Sequence, residues 1–165
     1  MLGACVAHAN NVSSKLTFAR QLGFLAADED GYFQVSFATL GVSEQEADSP
    51  ELSRAAAGFR DLMYDAVNSA DYRHLLVMLV IAEWLYLDGG ERDLPLPEAD
   101  LHLGWIELHR GEEFAQWAQF LIDELNRVFP EDDPAAAEAL QRRWEAAVSL
   151  ELDFFDVSYE RAADI

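Results

Sequence analysis

Lysine is almost missing from this sequence: Lys15 is the only one, and ten arginines bring the basic total to 11 against 31 acidic residues. The formal charge of −20 repels phosphate backbones and anionic bilayers, whose binding depends on Lys and Arg. With no basic run, neither a nucleic-acid nor a membrane-surface partner is expected. Cysteine is equally scarce. Cys5 stands alone, so no disulfide can form within the chain, which fits a cytoplasmic location. Long apolar runs are missing too. The richest stretch, Leu75 to Leu87, carries Glu83 and is shorter than the roughly 20 residues that span a bilayer. No basic start followed by an apolar core and cleavage site marks a signal peptide. Only five prolines interrupt the chain, and no segment alternates apolar and polar residues as a half-buried strand does.

What remains is helical. Apolar residues make up 51% of 165, enough for a globular core in one domain over 1–165. Residues 1–10 read as the tail end of an apolar helix, so the chain is expected to begin inside an element. Helices are predicted over 15–27, capped by Ser13 or Ser14, and over 32–40, ending at Gly41. Asp28 to Gly31 interrupts or bends the chain between them, and 43–48 reads as a polar connection. Ser49-Pro50-Glu51 reads as the start of a helix over 50–69 that buries Leu52, Ala56, Phe59, Met63 and Ala66. A central helix over about 71–88 is apolar on all sides and stops at Gly89-Gly90. Helix 98–110 carries His102, Trp105 and His109 on one stripe, helix 112–129 a stripe from Phe114 to Val128, and the last helix runs over about 134–158. The expected fold class is all-α, a bundle of about seven helices.

Two acids sit on apolar faces of separate helices: Glu83 in the central one, and Glu151 in the series Leu140, Trp144, Ala147, Glu151, Phe154. Carboxylates whose environments push their pKa values apart can divide acid and base work. The structural alternative is that each pairs with an Arg or a Tyr hydroxyl. Trp84 and Tyr86 flank Glu83, and Tyr86, three residues on, is placed to share a cavity with it. A di-iron centre would use Glu-x-x-His on two helices. That pattern is absent, and His102 and His109 are seven apart, so no metal and no cofactor is expected. Cys5 reads as an inert buried thiol rather than a nucleophile.

Three stretches, IAEWLYLDGG (81–90), LHLGWIELHRGEEF (101–114) and LELDFFD (150–156), resemble in order the motifs of the TenA family, also called thiaminase II or aminopyrimidine aminohydrolase. The resemblance covers the chain from about residue 13 onward. It implies a heme-oxygenase-like helical fold and hydrolysis at the aminomethyl carbon of a thiamine-derived pyrimidine, with ammonia leaving and the hydroxymethylpyrimidine salvaged for thiamine synthesis. One branch of the family carries a nucleophilic Cys four residues before the central Tyr; here that position is Ala82. The other branch carries a Glu three residues before it, which Glu83 matches. Glu151 and Phe154 match the terminal Glu-x-x-Phe, whose Glu is the family's acid/base group, and Tyr86 matches a pocket Tyr.

The resemblance thus implies catalytic Glu83 and Glu151 and substrate contacts from Tyr86, Phe154, Phe59, His102 and His109. The last three stand where the family has Tyr, which changes or removes hydrogen bonds to substrate. The resemblance also implies a homo-oligomer, a tetramer. Family members carry further helices before the point where this sequence begins, one of them supplying a pocket Asp, so an N-terminally truncated bundle is expected. A non-catalytic scaffold or small-molecule-binding protein of the same fold is the alternative.

Overall fold

The computed structural model describes residues 1–163, without the side chains of Asp28, Glu29 and residues from 161 on. Among the described residues it is all-α, with nine α-helices: α1 (Leu2–His8), α2 (Val12–Phe24), α3 (Asp30–Leu40), α4 (Glu44–Asp48), α5 (Arg54–Ser69), α6 (Tyr72–Gly90), α7 (Asp100–Leu108), α8 (Glu112–Val128) and α9 (Pro134–Ala163). None is long and apolar enough to cross a membrane.

Helix α6 is the axis. It packs against α1, α5, α8 and α9, and every residue from Leu75 to Ile81 is buried. The expected all-round burial stops there. Trp84 and Leu85 are exposed, on a face of α6 that opens to a groove beside α9. The helix ends at Gly90, two residues beyond the expected 88, with the glycine pair as its last two residues. A Cβ at Gly90 would meet the His109 carbonyl oxygen at 2.5 Å, so this glycine permits a close approach of α6 to the end of α7.

Local chemistry sets the other boundaries. Asn11 caps α2, its side chain accepting from the Ser14 amide at 2.8 Å, in place of the expected Ser13 or Ser14. Residues Leu25–Glu29 form a π-helical turn that carries the chain from α2 into α3 without a break. The stretch expected to be a connection holds α4, fixed by a Ser43–Glu46 capping box. Helix α5 begins later than Pro50 suggested, because Ser53 caps it through the Ala56 amide at 3.1 Å. Leu52 consequently lies outside the helix and is exposed.

Two polar clusters tie the bundle. Arg143 of α9 donates to the Leu62 carbonyl of α5 at 2.9 Å, to Nδ1 of His74 on α6 at 2.8 Å, and to Asp65. On the opposite side Tyr72 of α6 donates to buried Glu124 of α8 at 2.7 Å, and Arg127 completes the pair at 2.7 Å. Burial pushes the Glu124 carboxyl up, but hydrogen bonds from Arg127, Tyr72 and Ser14 outweigh it and hold the group below its usual value.

Candidate functional site

Helices α5, α6 and α9 line an open cavity of about 310 Å³. Its wall follows from helical spacing. Ala56, Phe59, Arg60 and Met63 come from α5, Ala82 and Tyr86 from α6, and Leu150, Glu151 and Phe154 from α9. Each set repeats at three or four residues, so each helix turns one stripe toward the same space. At Gly58 a Cβ would stand 2.9 Å from Cδ2 of Leu150; the glycine lets α5 and α9 come close beside the cavity.

Glu151 is the chemical centre of this wall. It is 7% exposed and has no hydrogen-bond or ion-pair partner among the described residues. Burial alone pushes its carboxyl above the usual value, which favours the protonated, proton-donating form. Tyr86 lies close enough to feel its charge. Burial first, then the charges of Glu151 and Glu83, push the Tyr86 phenol up to about 12, so it stays a neutral hydrogen-bond donor.

The remaining expected residues divide. Phe59 and Phe154 line the cavity, Phe154 at its more open edge. Glu83 is half-buried and acts on Tyr86 through its charge, but it is not part of this lining. Trp84 turns to a different groove between α6 and α9. His109 is buried behind Tyr86, with ring centroids 5.3 Å apart, and packs on Trp105 at 3.9 Å with the rings tilted by 42°. Its Nδ1–H donates to the Trp105 carbonyl at 2.8 Å, and burial depresses its basicity, so it is held as a neutral ring.

His102 lies apart, exposed on the first turn of α7. The inward face of α7 runs through Leu101, Gly104, Trp105 and Leu108, with Tyr32 donating to the Leu101 carbonyl at 3.0 Å and packing on Gly104. At 3.6 residues per turn His102 points roughly 100° away from that face. The expected stripe of His102, Trp105 and His109 fails because α7 stops at Leu108, and His109 enters the interior from a non-helical cap.

Arg60 was not anticipated. It lines the cavity from α5 and pairs with the neighbouring Asp61 at 3.0 Å. Its spacing from Ala56 and Met63 was the available signal, masked by its charge. Cys5 is fully buried, and burial pushes its thiol up to about 12, which makes it inert. Among the described residues no group of three or more His, Cys, Asp or Glu side chains is placed to hold a metal ion.

The sequence matches the TENA/THI-4/PQQC family over residues 4–161. It is similar to an aminopyrimidine aminohydrolase of Bacillus subtilis (strain 168), 22% identical over 147 residues that cover 84% of this chain and 62% of that protein. It is also similar to an aminopyrimidine aminohydrolase of Halalkalibacterium halodurans, 22% identical over 153 residues that cover 91% of this chain and 68% of that protein. The chain therefore spans roughly two thirds of the length of these relatives. With the family match running over nearly its whole length and an all-α bundle to go with it, the chain belongs to the TENA/THI-4/PQQC family.

Proposed function

We propose that this protein hydrolyses the exocyclic C–N bond of a thiamine-derived aminopyrimidine, releasing ammonia and the hydroxymethylpyrimidine for salvage. The observation that carries the proposal is the buried, unpartnered carboxyl of Glu151 on a cavity that also presents the neutral phenol of Tyr86. The names of the relatives support the substrate class.

The chemistry needs one acid and one base. Protonated Glu151 gives its proton to the amine nitrogen as the C–N bond breaks, and the nitrogen leaves as ammonia. Water attacks the methylene carbon, and its proton passes to Glu83. Solvent exchange then returns a proton to Glu151 and removes one from Glu83. Tyr86 orients the pyrimidine by donating a hydrogen bond. Ala82 at the cavity wall offers no thiol, so attack by water is direct. Phe59 and Phe154 supply apolar faces for the ring. The same reading takes the enzyme as a cytoplasmic tetramer, which sedimentation of the purified protein tests.

A non-catalytic binding role is the second reading. It is favoured by Ala82 and Phe59, which put no reactive or hydrogen-bonding group into the wall. Ammonia release from 4-amino-5-aminomethyl-2-methylpyrimidine separates the two. General acid catalysis contributes about 10²- to 10⁴-fold, so Glu151→Gln is expected to lose turnover on that scale while still binding the pyrimidine. Binding without ammonia release by the wild-type protein would favour the second reading.

A further inference from the structure

Glu151 also lines a second space. A groove of about 440 Å³ runs between α6 and α9 and is lined by Ile81, Trp84, Leu85, Trp144, Val148, Leu152 and Phe155, with Asp88 and Glu151. Glu151 is the one residue common to this groove and to the α5–α6–α9 cavity. Trp84 is 50% exposed and Leu152 62%, so the groove opens to solvent. Its size falls in the roughly 300–1,000 Å³ range of small-molecule sites.

The lining holds two acids and no cation. Asp88 is already paired with Arg92 at 2.7 Å. Glu151 has no such partner and is more than nine-tenths buried. A buried carboxyl facing aromatic walls is matched by a ligand with one cationic nitrogen on an apolar body. The ammonium takes the place of the Glu151 proton and pairs with the ionised carboxylate, and the body lies against Trp84, Trp144 and Phe155.

We propose that the α6–α9 groove is a binding site for an apolar organic monoamine in its protonated form, which reaches Glu151 from this groove rather than from the hydrolytic cavity. The site shares Glu151 with the proposed reaction, and its test reads binding rather than turnover.

The test is calorimetric titration of the protein with 2-phenylethylammonium, beside 2-phenylethanol and phenylacetate as neutral and anionic counterparts. Saturable one-to-one binding of the amine is expected, with the alcohol and the acid at least about tenfold weaker, a difference of 1.4 kcal/mol. Leu152→Arg places a charged chain across the mouth at an exposed position, so the fold is kept. It is expected to weaken the amine about tenfold or more and to leave ammonia release unchanged. Glu151→Gln is expected to remove the preference for the amine over the alcohol. Equal binding of amine and alcohol by the wild type would overturn the proposal. So would amine binding indifferent to Leu152→Arg, or no binding together with self-association that Leu152→Arg abolishes.

Discussion

At the scale of single residues, three acids on apolar faces meet different fates. Glu124 takes the structural role, satisfied by Tyr72 and Arg127. Glu151 is left unpartnered in the cavity wall, and half-buried Glu83 acts through its charge on Tyr86. Tyr72→Phe removes one hydrogen bond to a buried carboxylate and is expected to cost about 1–2 kcal/mol in denaturant unfolding. Glu151→Gln should behave in the opposite sense. Burial raises the folded-state carboxyl above the ordinary 4.5, so the folded protein holds a proton that the unfolded chain has released. Stability from this group is full below the unfolded value and is lost as pH rises through the folded one. Gln does not titrate. The melting temperature of Glu151→Gln is therefore expected to gain on the wild type as pH rises from 4.5 through the raised folded value, and the gain to level off above it. A constant difference across that range would contradict the account.

At the scale of elements, capping and close approach decide where helices begin and meet. Ala70 ends α5 with φ of 53°, a left-handed conformation that favours glycine. Ala70→Gly is expected to stabilise by about 0.5–1 kcal/mol, read from the denaturation midpoint. Gly90→Ala drives a Cβ into the His109 carbonyl and is expected to destabilise by about 1–3 kcal/mol. It should also shift Tyr86, which packs on His109. Arg143→Met strips donors from α5 and α6 at once and is expected to cost about 2–3 kcal/mol.

Much of this level was legible beforehand. The all-apolar run marked α6 as central, and the inward spacing of Ala147, Glu151 and Phe154 placed Glu151 on the cavity face. Other features were not legible. The caps Asn11 and Ser53 compete with equally good neighbours, and tertiary packing chooses between them. His102 and His109 share a stripe only if α7 continues, and the helix ends between them. Glu124 had a readable signal, three residues after Leu121 and seven after Trp117 on the apolar stripe of α8. The burial of Leu75 to Ile81 and the exposure of Trp84 and Leu85 depend on which face of α6 its neighbours cover, which no local pattern encodes.

At the scale of the whole molecule, charge and the shared carboxyl dominate. With a formal charge of −20, self-repulsion opposes compactness, and salt screens it. The Debye length falls from about 10 Å at 0.1 M to about 3 Å at 1 M, so the melting temperature is expected to rise with sodium chloride. The bundle brings Glu151, Tyr86, Phe59 and Phe154 from three helices to one cavity, and that convergence is the basis of the functional proposal.

The most direct test is the pH dependence of kcat/KM for ammonia release from 4-amino-5-aminomethyl-2-methylpyrimidine, wild type against Glu151→Gln. The account predicts a bell-shaped wild-type profile. The acidic limb reports protonation of the base, and the basic limb reports Glu151 losing its proton above its raised value. In Glu151→Gln the residual rate should fall by about 10²- to 10⁴-fold and the basic limb should vanish. Retention of wild-type turnover with an unchanged basic limb would contradict the assignment of Glu151 as the acid.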